Sequence, residues 1–365
     1  MADYDLAIIG AGMAGASLAA EVGPHARVLL LEAEEFPGYH TTGRSAAFWE
    51  ECYGGPEIVP LSRASESYLR DGGFLSPRGA LYIGRNGDAA KMDAFEARFA
   101  NTGARFERLA PGAVHARVPS LREEWREAIW QPHCADIDVA GLHQHYLKVA
   151  KAAGVQLVTH ARIEAIEREG AGWLLRSGDG REWRASAIAN AAGAWADGVA
   201  QLAGARELGI QPLQRTMLQL AVEPALPRGG PLTLDIAGWF YFKPEVGGSL
   251  WFSPHDETPV PPTDAAPEEI AVAEALDRFE TVFDARIGRV ERTWAGLRSF
   301  APDRKPVYGW DRETEGFFWF AGQGGFGIQT APAAARLGAQ LFLDHPRDAM
   351  TEALDAETFS PARFG

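Results

Sequence analysis

Short apolar runs broken by glycine alternate with helical stripes at both ends of the chain, whereas the middle reads as strand after strand. Tyr4–Ile9 predicts a buried strand, glycines follow, a helix of small residues covers 13–22, and a second strand, 27–31, ends at Glu32. Strand, helix and strand in so short a span imply parallel strands joined by a right-handed crossover. The polar, irregular stretch 38–55 is too long for an ordinary connection and points to function. Residues 88–127 are charged and helix-like, with little strand pattern. Leu142, Tyr146, Val149 and Ala153 have helical spacing, and a β-rich run follows over 155–190. Strands are predicted at 216–222, 232–236, 239–243 and 249–252, with Gly247-Gly248 as a hairpin turn. After a proline-rich loop, 259–267, the stripe Ile270, Ala273, Leu276, Phe279 and Phe283 predicts a scaffold helix. Strands at 293–300 and 317–320, a glycine-rich turn and an alanine-rich helix to about Leu343 return to the opening style.

The pattern predicts an α/β fold with an α+β second domain. A discontinuous Rossmann-like dinucleotide-binding domain would take 1–75, 139–210 and 292–365, and an inserted, β-sheet-rich substrate domain 76–138 and 211–291. The 40 glycines in 365 residues exceed the usual share of about 7%, but no triplet period appears and 46% of residues are apolar, which excludes collagen and long disorder. A formal net charge of −14 repels nucleic acid and anionic membrane surfaces at long range, so any bound anion must be held by placed arginines. Cys52 and Cys134 are the only cysteines, and no disulfide framework is needed. Asp3 and Asp5 precede only a short apolar run, unlike a secretory signal. The longest uncharged window, 316–335, is broken by glycine, glutamine and proline, unlike a membrane span. The expectation is a cytoplasmic protein with no transmembrane segment.

Gly10-x-Gly12-x-x-Gly15 follows a strand and opens a helix, and Glu32 lies seventeen residues beyond Gly15. The first glycine turns the chain, the second admits a pyrophosphate to bare backbone and the third packs helix on strand. The helix N-terminus supplies N–H groups to phosphates, and Glu32 would accept from ribose hydroxyls. Asn190-Ala-Ala-Gly193-Ala-Trp195 and Gly322-Gln-Gly-Gly325-Phe-Gly327 are two further glycine sites. Three such segments suit an extended ligand such as FAD better than NAD.

With Pro37-Gly-Tyr-His-Thr-Thr-Gly-Arg-Ser-Ala-Ala47, Asp136-Ile-Asp138, Thr293-Trp-Ala-Gly-Leu-Arg-Ser-Phe300, Pro302-Asp-Arg-Lys-Pro-Val307 and Gly322 to Gln329, the chain resembles the D-amino acid oxidase and dehydrogenase superfamily of FAD flavoproteins. Within it the chain looks most like bacterial FAD-dependent D-arginine and D-amino acid dehydrogenases, from Gly10 to Thr330. The resemblance implies noncovalent FAD and oxidative deamination of a D-amino acid to a 2-oxo acid and ammonia, with hydride transfer from the α-carbon to the flavin. Gly10, Gly12, Met13, Ala14, Gly15, Glu32 and Ala33 would hold the adenosine and pyrophosphate half. Thr42, Gly43, Arg44, Ser45, Ala46 and Ala47 would lie near the pyrophosphate and isoalloxazine, with Arg44 and Ser45 donating hydrogen bonds. Ala192, Gly193, Trp195, Gly296 and Arg298 would border the cofactor. Gly325, Phe326, Gly327, Ile328, Gln329 and Thr330 would reach the pyrimidine end, where a helix N-terminus can stabilise a reduced ring. The sarcosine oxidase branch attaches its flavin through a cysteine shortly before the last motif, and 294–330 contains none.

Arg215 and Arg298 match the arginines that bind the substrate carboxylate, which a guanidinium fits bidentately. Tyr53 and Tyr241 match tyrosines near the substrate amine and carboxylate, although a phenol with an ordinary pKa of about 10 is a poor base at neutral pH. A structural ion pair is the alternative role for each arginine alone, and a core ring for each tyrosine. Two positions depart from the arginine-preferring pattern: Ala80 stands where that branch carries an acid, and Phe48 where it carries a histidine. With Leu232, Leu234 and Trp239 these residues predict a pocket for neutral, bulky side chains. His133, Cys134, Asp136, Asp138, His143 and His145 match no metal spacing, and Asp136 and Asp138 read as helix caps. No G-x-S-x-G elbow supports a serine nucleophile. The acceptor of the electrons stays open among oxygen, a quinone and a protein carrier. Alternative functions are oxidation of an N-methyl amino acid or 2-hydroxy acid by the same clamp, and FAD binding without turnover.

Overall fold

The computed structural model describes residues 2–365, and two large sheets, each assembled from separated stretches of sequence, organise it. In the first, Tyr4–Ile9 lies between Val28–Leu31 and Glu182–Asn190, parallel to both. Gln156–Val158 extends the sheet beyond Val28–Leu31, and Phe317–Ala321 joins the C-terminal end of Glu182–Asn190, again in parallel. Parallel neighbours need crossovers, and the helix Met13–Val22 makes the first. Val28–Leu31 is buried at all four positions because helices cover both faces. Leu6, Ile8 and Leu30 pack with Met13–Val22, Val139–Ala152 and Ala331–Leu343, while Ala7, Ile9 and Leu31 pack with Ala196–Leu202.

The second sheet has ten strands. Leu232–Asp235 pairs in parallel with Ala80–Arg85, which fuses the 76–138 stretch to the 211–291 stretch. Gln211–Glu223 pairs along its length with Arg286–Phe300, which runs straight through the expected boundary at 292. Residues 292–300 therefore continue the second sheet. Residues directly opposite in neighbouring strands share a face. The pairs Leu213 with Arg298, Arg215 with Gly296, Met217 with Trp294, Tyr241 with Leu234, and Leu232 with Ala80 thus align one face across six strands. The opposite face carries Leu81, Ile83, Leu218, Phe242 and Phe252 against the helix Glu269–Val282.

Three local expectations need correction. Ile270 and Ala273 face outward, and the buried stripe is Ala271, Ala275, Phe279 and Val282, whose alanines let the helix approach the sheet. Within the 88–127 stretch the α-helix covers only Ala89–Phe99; the chain then forms edge pairing at Glu107–Arg108, too short to show alternation, a 3-10 turn at Ala113–Ala116 and the start of the strand Trp125–Gln131. Asp138 caps its helix, accepting the Gly141 amide at 2.9 Å, but Asp136 binds Arg78 at 2.6 Å and Lys243 at 3.1 Å. No helix among the described residues is long and apolar enough to cross a membrane.

Candidate functional site

An elongated cleft of about 380 Å³ opens where the parallel strands of the first sheet end. Gly10 turns there with φ 102°, and a Cβ on it would stand 2.5 Å from the Ala191 carbonyl oxygen. A Cβ on Gly15 would stand 1.8 Å from the Gly10 carbonyl oxygen, so helix and turn pack backbone to backbone. Gly12 is open except for Thr42 Oγ1 at 3.3 Å, and that hydroxyl accepts the Met13 amide at 3.0 Å. Glu32 accepts the amides of Ala11 at 2.9 Å and Glu34 at 3.0 Å, which leaves each carboxylate oxygen a further lone pair for a ribose hydroxyl. His143 donates from Nε2 to the Ala11 carbonyl at 2.9 Å and braces the same turn. Bare backbone at a helix N-terminus, with an acid at the end of the next strand, is the donor set a dinucleotide diphosphate and ribose require.

Of the residues expected at the cofactor, Gly10, Gly12, Met13, Ala14, Glu32, Ala33, Thr42, Ser45, Ala192, Gly193, Trp195, Arg298, Gly325, Gly327 and Ile328 line this cleft. Gly15, Ala46, Ala47, Gly296, Phe326, Gln329 and Thr330 are outside its wall, and Gly43 lines a separate cavity with Arg44. Gln329 is a brace: it accepts the Glu50 amide at 3.1 Å and donates to Ser62 Oγ at 2.8 Å. Thr330 donates to the Phe326 carbonyl at 3.0 Å, and Phe326 is in the core. Arg44 turns away. Its guanidinium donates to the Ala265 carbonyl at 2.8 Å and pairs with Asp264, beside a separate cavity. Sequence inspection missed Tyr39, His40 and Arg162 in the cleft wall. Arg162 arrives because Gln156–Val158 pairs with Val28–Leu31 and delivers the following loop to the same sheet end.

The second sheet closes over the far end of this cleft. Arg298 Nη1 donates to Tyr53 Oη at 2.7 Å. Gly325 permits the contact, since a Cβ there would stand 2.6 Å from that hydroxyl and 3.2 Å from Arg298 Nη1. Arg215, on the neighbouring strand, is 3% exposed. Its Nε donates to the Asp256 carbonyl at 2.6 Å and its Nη2 to Glu257 at 3.2 Å, but Nη1 has no partner among the described residues. Burial, and then Arg298, push its pKa down to about 10, so both guanidiniums stay charged at neutral pH. Tyr241 donates to Met217 Sδ at 2.9 Å, and Phe48 meets the rings of Tyr53 at 5.1 Å and Tyr241 at 6.3 Å.

Phe48, Ala80, Leu232, Leu234 and Tyr241 form one buried cluster with Met217 and Tyr82. Trp239 stands apart, 62% exposed on a turn, with Arg278 over its ring at 5.8 Å. Two ionisable residues beside this region escaped the sequence analysis. Glu50, fully buried, accepts the Tyr82 hydroxyl at 2.7 Å, and burial pushes its carboxyl up to about 7. The acids Glu50 and Glu51 between Phe48-Trp49 and Cys52-Tyr53 were the visible signal. His255 follows the strand Leu250–Ser253 and lies edge-on to Tyr241 at 5.6 Å; only its place in a polar loop after a strand marked it.

A model of the family described as FAD dependent oxidoreductase matches residues 5–341. Over its whole length the chain is similar to hydrogen cyanide synthase subunit HcnC of Pseudomonas aeruginosa, at 24% identity, with 99% of this chain and 96% of that protein covered. Among solved structures it superposes on glycine oxidase from Geobacillus kaustophilus with a TM-score of 0.83 at 23% identity, covering 99% and 98% of the two chains. L-proline dehydrogenase from P. horikoshii gives 0.85 at 22% identity, covering 100% and 98%. With a matched family model spanning nearly the entire chain and a glycine-built cleft of the required chemistry, the protein belongs to the FAD dependent oxidoreductases and takes FAD as its cofactor.

Proposed function

We propose that the protein oxidises an α-amino acid, of D configuration and with a neutral, bulky side chain, to an imino acid that water hydrolyses to the 2-oxo acid and ammonia. The observation that carries this reading is the arginine pair on one sheet face, with Arg215 Nη1 unpartnered at 3% exposure. Arg215 is buried and Arg298 half-buried, and two adjacent cations out of water repel each other, so a carboxylate between them relieves both. Arg298 donates to Tyr53 Oη, which leaves the Tyr53 proton free to point at a substrate. The Tyr241 hydroxyl spends its proton on a thioether, a weak acceptor that a substrate atom outcompetes. Phe48, Leu232, Leu234 and Met217 offer an apolar wall to the side chain. Bound FAD supplies the hydride acceptor for the α-carbon. Glycine oxidase and L-proline dehydrogenase, both named for amino acid substrates, share the fold.

The test mixes the FAD-loaded protein without oxygen with D-Phe, D-Leu, D-Met, D-Arg, their L forms, an N-methyl amino acid and a 2-hydroxy acid, while flavin absorbance is followed. Fastest bleaching by the neutral D-amino acids is expected. A clear D-Arg optimum overturns the side-chain preference; bleaching by the hydroxy acid alone overturns the amino acid reading, and no bleaching by any compound favours binding without turnover.

A further inference from the structure

Residues 253–257 place a histidine beside the arginine pair in a geometry that fixes what it can do. His255 has φ 56°, a left-handed backbone uncommon outside glycine and enriched at functional sites. Its amide donates to Ser253 Oγ at 3.1 Å, and its Nδ1 lies 2.6 Å from the Gly238 carbonyl oxygen. A carbonyl has no proton to give, so Nδ1 carries the hydrogen and Nε2 the lone pair. Nε2 has no hydrogen-bond partner among the described residues. The next residue's carbonyl accepts Arg215 Nε, and Arg215 and His255 flank the same Tyr241 ring, at 6.0 Å and 5.6 Å. The imidazole thus stands beside the proposed carboxylate clamp.

The charged and titratable groups around the imidazole are Arg215 and Arg298 from the paired strands, Arg278 from the helix Glu269–Val282, Tyr241, and Asp256 and Glu257 on its own loop. Burial, then Arg215 and Arg298, push His255 down to about 3, so the ring is uncharged at any ordinary working pH. We propose that His255 Nε2 is a neutral hydrogen-bond acceptor for an N–H of the substrate's α-amino group, fixing rotation of the substrate about its clamped carboxylate. The assignment rests on the carboxylate reading of Arg215 and Arg298. It gives the pocket an acceptor for amines, and it disfavours a 2-oxo acid, which has no hydrogen to offer there.

The test uses the FAD-loaded protein with D-Leu and D-Phe as substrates, and benzoate, a carboxylate without an amine, as a binding probe followed by flavin absorbance. His255→Phe keeps a ring edge against Tyr241 and removes the lone pair. His255→Asn tolerates the left-handed backbone but ends short, and His255→Gln restores an acceptor. Phe and Asn variants should lose about 10- to 100-fold in kcat/KM yet bind benzoate within about twofold, and Gln should recover most of the loss. Unchanged kcat/KM in both the Phe and Asn variants overturns the proposal, as does benzoate binding that weakens in step with turnover. Failure of the clamp itself reads out separately, as wild-type protein that does not bind benzoate, or Arg298→Ala that binds it as well as wild type.

Discussion

Gly15→Ala is the sharpest test of how the cofactor cleft is built. The new Cβ would sit 1.8 Å from the Gly10 carbonyl oxygen and 3.3 Å from Ile8 Cγ2. A C–H···O contact settles at about 3.3–3.6 Å, so helix and turn must separate by roughly 1.5 Å. The obstacle is backbone, which no rotamer change relieves. Overpacking of this kind costs about 1–3 kcal/mol, or about 2–12 °C in Tm at the 2–4 °C per kcal/mol of larger domains. The displaced element is the Gly10–Gly12 turn, so FAD affinity should fall by about 10- to 100-fold as well. Gly12→Ala is the contrast. Its Cβ meets only Thr42 Oγ1 at 3.3 Å, so the apoprotein should keep its Tm while the methyl blocks the pyrophosphate approach. Thermal unfolding of apoprotein and titration with FAD, followed by flavin fluorescence, separate the two effects. Apo Gly15→Ala melting with the wild type would refute the backbone-contact argument, and equal FAD binding by both variants and wild type would refute the placement of the diphosphate.

On the clamp reading, Arg298→Ala should retain FAD but lose about 10- to 100-fold in kcat/KM, since it would remove a charged donor to the substrate carboxylate along with the partner of Tyr53; steady-state kinetics with flavin content as control decide it. Arg44→Ala should keep its FAD and stay within about 1 kcal/mol of wild-type stability, because its guanidinium is engaged with Asp264, itself 58% exposed. Loss of flavin on purification would show the opposite. Glu50 gives a pH dependence. Its folded carboxyl titrates near 7, above its unfolded value, so the native state holds the extra proton between about pH 4.5 and 7. Stability should therefore decline as pH rises through that window and level off above it, by roughly 3 kcal/mol in all. Glu50→Gln should flatten that slope and be the more stable protein at pH 8; denaturant titrations at pH 5 and pH 8 that show equal slopes for both proteins would rule this out.

What was legible in the sequence was local. The Gly10–Gly15 turn, its helix and Glu32 fall within one supersecondary unit, and the glycines mark places where a Cβ has no room. The arginines became legible only through resemblance, because what unites them is register: Leu213 opposite Arg298 and Arg215 opposite Gly296. Long-range pairing was hidden. Leu232–Asp235 finds Ala80–Arg85 from 150 residues away, and Arg44 is turned from the cleft by Asp264, 220 residues distant. Trp239 misled because an aromatic run reads as a pocket wall. The strand starts only at Tyr241, and the turn before it leaves the indole 62% exposed with Arg278 over its ring. Glu50 and His255 carried no motif; their importance arises from burial without a cation for one, and from a carbonyl that dictates the tautomer of the other.

The charge balance of the site ties these features to a substrate form. Glu257 accepts from Arg215 at 3.2 Å and from Arg304 at 2.8 Å, while the Asp256 carboxylate accepts the Thr216 amide and hydroxyl, both at 2.8 Å. Arg215, Arg298 and Arg304 thus face two carboxylates, which leaves one positive charge uncompensated in a protein whose net charge is −14. On the clamp reading, one substrate carboxylate neutralises it. A zwitterionic amino acid would bring a positive charge back beside Arg215 and His255, whose basicity is already depressed by burial and then by neighbouring guanidiniums. On that same reading the pocket would favour an amino acid with its amine deprotonated, since that form balances these charges. The same form has the nitrogen lone pair needed to form the C=N bond as hydride leaves the α-carbon, so in the proposed reaction the electrostatics of the clamp would also set the amine's protonation.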